Sequence, residues 1–265
     1  MQDSLMAKSY GTMPLDLKSG TLASSFSRQS TFLQDNGRQI KVLESNSENT
    51  MSMSWSPVNH MLAFGGDNNH ASLWNIDESV DQAQSIQVLP HTSQSISNMD
   101  YDSNMKFISA IDWKCDGSAF VTAAYDGICR MWDDSGELSK IMYNHISMPL
   151  KTNKNLSSDG IQSNGISDSA NKVITQEDFD SIYSCKWNKD GSALVTVSEK
   201  NNVILWTQDG EMGQVFDGHT TPVVGLDWKN KNVFATSSQD GTIKIWDVQN
   251  KTATTTFNAH SNNIK

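Results

Sequence analysis

The sequence predicts an all-β fold built from four copies of one antiparallel unit, and three observations carry that expectation. The eight tryptophans fall into four pairs, Trp55 and Trp74, Trp113 and Trp132, Trp187 and Trp206, Trp228 and Trp246, spaced by 19, 19, 19 and 18 positions. Each pair brackets the same order of residues: an apolar alternating run ending in Trp, a turn, a second apolar run, a tight turn, and a third run ending in Trp. Charged residues make up only 19% of the chain, and Ser, Thr, Asn and Gly fill much of the rest, which favours short strands and turns over a coiled coil.

Each copy can be justified in turn. The first, Ser54-Trp55 to Leu73-Trp74, is the loosest and turns at Gly65-Gly66-Asp67-Asn68. The second reads Ile111-Asp112-Trp113, then Ala119 to Ala124, then Tyr125-Asp126-Gly127, then Ile128 to Trp132. Asp-Gly supplies the positive φ that a tight hairpin turn needs. The third keeps Lys186-Trp187, Ala193 to Val197 and Val203 to Trp206, with Lys200-Asn201-Asn202 in place of Asp-Gly. The fourth is the cleanest: Gly218-His219, Val223 to Trp228, Val233 to Ser238, Asp240-Gly241 and Thr242-Ile243-Lys244-Ile245-Trp246-Asp247.

Outside these copies, residues 1–38 read as a disordered Ser/Thr-rich tail, with Asp3, Asp16 and Asp35 arguing against a transit peptide. Residues 39–265 form the repeat domain, with surface insertions expected near 77–107 and 144–180. Gln39 to Glu44 reads as an outer strand without a sheet of its own, and Thr252 to Phe257 as the outer strand of the fourth copy. Four such units leave two faces open, so the chain reads as incomplete.

Gly218-His219 followed by Trp246-Asp247 resembles the WD40 repeat, whose GH and WD dipeptides mark one blade of a β-propeller. The resemblance implies an all-β WD40 propeller with about four blades of a seven- or eight-bladed ring. It also implies a buried His, Ser/Thr, Asp and Trp network in each blade. By position this falls on His219, Thr236, Asp240 and Trp246 in the fourth copy, and on His91, Thr122, Asp126 and Trp132 in the second. The third copy offers His145, Thr196 and Trp206 but no Asp. Such a network satisfies polar groups that packing would otherwise bury unpaired, so its role is structural.

The run from Ser109 to Trp113, with Asp116-Gly117-Ser118, Tyr125 to Trp132 and Ser135-Gly136-Glu137-Leu138, is similar to the second blade of the transducin β-like corepressor proteins and their fungal relatives in histone-deacetylase complexes. Lys186 to Gly191, Ile204-Leu205-Trp206 and Val88-Leu89-Pro90-His91 extend the similarity over about residues 86–250. It implies a non-catalytic scaffold in the nucleus, with the cytoplasm as the alternative, docking corepressor and deacetylase subunits and histone tails to repress transcription. Those proteins carry an N-terminal LisH segment, and residues 1–38 have no helical pattern for one. The fourth copy follows the general WD40 consensus more closely, which keeps open an adaptor role in a ubiquitin ligase or a ribosome-assembly complex.

Function classes are narrowed further by charge and motif. Twenty Lys and Arg against thirty Asp and Glu give a net charge of −10, which repels a phosphate backbone and suits basic partners, so no direct nucleic-acid contact is expected. No apolar run reaches the length of a membrane span, and no membrane contact is expected. Cys115, Cys129 and Cys185 form no C-x-x-C and read as reduced, buried thiols. No nucleophile elbow, phosphate loop or H-E-x-x-H occurs, so no catalytic residue, cofactor or metal site is expected. Asp112 and Asp227, each just before a strand-ending Trp, read as turn caps or solvent-facing acids.

Overall fold

Alternating apolar residues bounded by Asp, Asn and Gly produce short strands, and a computed structural model describes them over residues 31–35, 38–42, 49–76, 84–91, 107–143, 180–250 and 252–259. The first sheet comprises β3 (Thr50–Trp55), β4 (Met61–Gly66), β5 (His70–Asn75) and β6 (Gln84–Pro90), and the second β7 (Ile108–Trp113), β8 (Ala119–Ala124), β9 (Cys129–Asp133) and β10 (Leu138–Met142). The third holds β11 (Ile182–Trp187), β12 (Ala193–Ser198), β13 (Val203–Thr207) and β14 (Met212–Phe216), and the fourth β15 (Val223–Trp228), β16 (Val233–Ser238), β17 (Thr242–Asp247) and β18 (Thr255–Asn258). Every sheet is an antiparallel meander paired in chain order. Among the described residues there is no helix.

Two segments differ from the sequence reading. The region 77–107, expected as a surface excursion, contains β6, whose Leu89 is fully buried as the outer strand of the first sheet. The strand expected at Gln39 to Glu44 forms as β2 (Arg38–Val42), and its described partner is β1 (Thr31–Asp35) in a separate two-stranded ladder. β1 lies inside the segment 1–38 read as a tail; residues 1–30 and most of 144–180 are outside the described residues.

The first strands of successive sheets, β3, β7, β11 and β15, are neighbours, so the sheets fan out from a shared inner edge. Each of these strands carries a β-bulge at the same register, with Met51, Ser109, Tyr183 and Val224 as the extra residues. The tight turn after the second strand is also shared. Its left-handed position is Asn69, Gly127, Asn201 or Gly241, with φ of 61°, 72°, 57° and 79°. Asparagine is one of the few residues with a Cβ that enter that region readily, which explains how the third copy turns without Asp-Gly.

Apolar faces of consecutive sheets form three cores. Met61, Ala63, Leu73 and Leu89 of the first sheet meet Ile108, Ile111, Trp113 and Phe120 of the second. Cys129, Met131 and Met142 meet Ile182, Cys185, Trp187 and Leu194, and Val195, Val203 and Phe216 meet Leu226, Trp228, Phe234 and Trp246. The inner tryptophans are the centrepieces: Trp113 packs tilted on Phe120 with ring centroids 4.6 Å apart, and Trp228 on Phe234 at 4.9 Å. Trp113 and Trp228 also donate Nε1–H to the preceding sheet, to the carbonyls of Ser54 and Lys186, both at 3.0 Å. Trp55, at the same register on the first sheet, is 53% exposed against 5%, 5% and 2% for Trp113, Trp187 and Trp228.

Cys129 and Cys185 are buried as expected, but Cys115 is exposed because it sits in the β7–β8 turn.

Candidate functional site

The polar centre of the fourth sheet is a chain of three hydrogen bonds. Trp246 Nε1–H donates to Thr236 Oγ1 at 2.8 Å, Thr236 Oγ1 meets His219 Nε2 at 2.7 Å, and His219 Nδ1 meets Asp240 Oδ2 at 2.8 Å. β16 and β17 present the Thr and Trp, the residue pair before β15 supplies the His, and the β16–β17 turn supplies the Asp. Asp240 also accepts from the amides of Thr220 and Thr242 and from Thr242 Oγ1. Burial pushes its carboxyl up, but these donors outweigh that and hold it below the ordinary carboxylate range. An ionised Asp240 fixes the His219 proton on Nδ1, so Nε2 accepts from the Thr236 hydroxyl. Burial depresses the imidazole pKa, and the pull of Asp240 only partly restores it.

The second sheet uses the same letters with opposite wiring. Trp132 Nε1–H donates to Thr122 Oγ1 at 2.9 Å and His91 Nε2 lies 2.9 Å from the same oxygen. Arg130 is interposed between the histidine and the acid: Nη1 is 3.1 Å from His91 Nδ1, and Nη2 donates to Asp126 Oδ2 and to the His91 carbonyl at 2.9 Å each. A guanidinium only donates, so His91 Nδ1 must accept and its proton sits on Nε2, pointing at Thr122. Thr122 then accepts twice and turns its own proton toward the Arg130 carbonyl, 3.5 Å away. Burial drives the His91 pKa well below its ordinary value, and Arg130 adds to the shift. The whole cluster is buried, with Arg130 2% exposed.

In the third sheet Trp206 Nε1–H donates to Thr196 Oγ1 at 2.8 Å, while His145 lies outside the described residues. Lys200 stands where the other two sheets have Asp126 and Asp240. A buried acid from the strand entry, Asp180, holds this turn instead: it accepts from Ser198 Oγ at 2.7 Å, the Lys200 amide at 2.7 Å and Asn202 Nδ2 at 2.6 Å. In the sequence Asp180 is one of the acids of the 144–180 insertion and Arg130 lies within the Tyr125 to Trp132 run that carries the corepressor resemblance, and neither is placed in a blade network there.

Asp112 also departs from expectation. It reads as a turn cap or exposed acid, yet it reaches across the second interface, where its Oδ2 accepts the Trp187 amide at 2.7 Å. Burial raises its pKa to about 6, with the Trp187 amide, Lys186 and Lys189 pulling the other way. Trp187 Nε1, whose counterparts in Trp113 and Trp228 find carbonyls, is buried without a hydrogen-bond partner. Asp227 faces solvent and pairs with Lys186 at 3.3 Å.

Among the described residues, no group of three His, Cys, Asp or Glu side chains could hold a metal, and no helix is long and apolar enough to cross a membrane. Four repeated four-stranded blades, three of them with a Thr–Trp hydrogen bond at Thr122, Thr196 and Thr236, define a WD-repeat β-propeller segment. The family model of the WD domain, G-beta repeat, matches residues 37–75, 83–133, 171–207 and 210–247, more than half of the chain, and the chain belongs to the WD40 family. It is similar to the F-box-like/WD repeat-containing protein TBL1X of Mus musculus, 26% identical over 84% of this chain and 36% of that protein. It is also similar to the WD40 repeat-containing protein HOS15 of Arabidopsis thaliana, 25% identical over 85% of this chain and 32% of that protein. The SIR4-interacting protein SIF2 of Saccharomyces cerevisiae is 22% identical over 78% of this chain and 36% of its own length. The chain thus spans about a third of the curated relatives it matches.

Proposed function

We propose that this protein is a non-catalytic scaffold subunit of a nuclear histone-deacetylase corepressor assembly. The observation that carries the reading is the similarity to the TBL1X relative, 26% identical across 84% of the chain. The buried chemistry fits a structural role: His219, Thr236, Asp240 and Trp246 spend their side-chain polar atoms within the fourth sheet, and His91, Thr122, Asp126 and Trp132 spend theirs on one another or on the buried Arg130. A surplus of ten negative charges favours basic partners such as histone tails. Affinity purification of the tagged full chain from nuclear extract tests the assignment. Recovery of deacetylase and corepressor subunits is expected. A second reading, an adaptor in a ubiquitin ligase, draws on the F-box-like designation of the TBL1X relative, and recovery of ligase subunits without deacetylase would replace the first reading with it.

A further inference from the structure

The three sheet-to-sheet cores repeat one set of registers, and the outward faces of the first and fourth sheets carry the same registers uncovered. On the first-strand side, the residue two before the inner tryptophan is Ile111, Cys185 and Leu226 in the second, third and fourth sheets, exposed by 6%, 2% and 8%. Its counterpart in the first sheet is Met53, 64% exposed beside the exposed Trp55. Their cross-strand partners Leu62 and Phe64 pack with Trp74 as half of a core.

The opposite face of the fourth sheet shows the complementary half. In the first three sheets the outer strand sets Leu89, Met142 and Phe216 against Ala71, Cys129 and Val203, and the next sheet covers them to 1% exposure or less. The equivalent pair in the fourth sheet is Phe257 and Ile243, with Phe257 53% exposed. Ile245, opposite Ala235, is half-buried where Leu73 and Met131 are buried. The polar contacts match as well. Trp113 and Trp228 each donate Nε1–H to the carbonyl of the residue before the inner tryptophan of the preceding sheet, Ser54 and Lys186. On the fourth sheet that residue is Asp227, which also repeats the position from which the Asp112 carboxylate accepts the Trp187 amide. Its exposed pairing with Lys186 is exchanged at little cost.

We propose that two copies of this chain join head to tail, the first sheet of each packed on the fourth sheet of the other, to close a ring of eight sheets. The Asp227 backbone and carboxylate of one copy then face the Trp55 indole and amide of the other, and Met53 enters the core beside Phe257. The occupant is a second copy because one chain carries both halves of the contact, and its three internal cores show that these halves fit. A contact between unlike faces closes only where the rotation permits, and a twofold axis between two copies makes both contacts identical and leaves neither face open. Eight sheets lie within the range of about four to eight that propeller rings hold. The inference goes beyond the scaffold reading and does not depend on which assembly the protein joins.

The test is sedimentation equilibrium of the full chain, with a mass of two 29.3 kDa copies expected. Met53→Lys and Phe257→Asp place a charge on opposite faces, and both positions are exposed in the single copy, so neither burdens its folding. Each substitution falls at both contacts of the pair, so a tenfold penalty per contact multiplies to about a hundredfold weaker association. An equimolar mixture of the two variants associates about tenfold more tightly than either alone, because one contact is intact and the other sets Lys against Asp. Leu138→Asp, at an exposed apolar residue on the outer strand of the second sheet, leaves the mass unchanged. A pair indifferent to either face substitution, or open assemblies of more than two copies, overturns the closed ring. A single-copy mass at every concentration overturns it too and leaves the two faces to a different protein. Recovery of deacetylase subunits is read separately, so failure of the pairing and failure of the scaffold assignment are distinguishable.

Discussion

Thr236→Val is the sharpest probe of what the fourth-sheet network contributes. Valine matches threonine in shape, so no cavity opens and the change is confined to the hydroxyl. That hydroxyl accepts from Trp246 Nε1 at 2.8 Å and donates to His219 Nε2 at 2.7 Å, and Thr236 is 1% exposed, so water cannot replace it. Removing it leaves one buried donor and one buried acceptor, each costing about 1–3 kcal/mol, for a total of about 2–6 kcal/mol. Against a domain stability on the order of 5–15 kcal/mol the loss is large. Urea unfolding followed by tryptophan fluorescence reads it directly as a fall in midpoint. Thr254→Val, which removes an exposed hydroxyl bonded to the Ile245 carbonyl, serves as the control and costs under about 0.5 kcal/mol. In a Trp246→Phe background, where the indole donor is already gone, Thr236→Val costs about 1–3 kcal/mol less. A single-variant loss under about 0.5 kcal/mol, or strict additivity in the pair, refutes the idea that Thr236 works by satisfying both neighbours.

Further outcomes follow from the same contacts. Asp112→Asn keeps an acceptor for the Trp187 amide and removes a charge whose folded pKa, about 6, lies above the ordinary 3.8. A raised acid pKa penalises folding above pH 6, and the penalty fades as pH falls through 6 toward 3.8. Two units correspond to about 3 kcal/mol, trimmed by partial exposure to about 1–2 kcal/mol. The variant is therefore more stable by that amount at pH 7.5 and equal near pH 4 in paired urea titrations. Trp228→Phe loses a bond to the Lys186 carbonyl whereas Trp187→Phe removes an unpartnered donor, so the first costs about 1 kcal/mol more in the same assay. Trp113→Ala costs about 3–5 kcal/mol and Trp55→Ala under about 1 kcal/mol on the isolated chain, because only the former is covered by a neighbouring sheet. Nitrogen-15 NMR assigns the imidazole proton to Nε2 in His91 and Nδ1 in His219, and the same tautomer in both would contradict the Arg130 wiring.

Local pattern made much of this architecture legible. The paired tryptophans mark strand ends because the inner Trp113, Trp187 and Trp228 close inter-sheet cores and the outer Trp132, Trp206 and Trp246 each reach a buried Thr hydroxyl ten residues earlier in the chain. Asp126-Gly127 and Asp240-Gly241 were readable as turns because few residues accept their φ. What escaped depends on register between sheets, which no single-copy pattern encodes. Asp112 occupies an apparently outward position on β7, and only the placement of β11 beside it puts the Trp187 amide within reach. β6 lacks a tryptophan and follows a polar stretch, so its alternation Ile86, Val88 with Leu89 facing the core is easily taken for loop. The bulges at Met51, Ser109, Tyr183 and Val224 leave no compositional trace, since four different residue types occupy one structural position.

The two complete networks show why a shared motif does not guarantee shared chemistry. Arg130 and Lys244 pair with Thr122 and Thr236 at the same register, so both enter the sheet beside the network threonine. Lys244 turns outward to Thr256, and its sheet lets His219 touch Asp240 directly. Arg130 turns inward, takes Asp126 for itself and presents donors to His91, which reverses the direction of every proton from the imidazole to the threonine. The indole bond to threonine survives in both because a hydroxyl oxygen can accept from Trp whichever way its own hydrogen points. That freedom makes threonine the pivot of the motif. It lets the histidine end of the network be rebuilt around a buried guanidinium in one sheet and a carboxylate in another without disturbing the tryptophan that closes the blade.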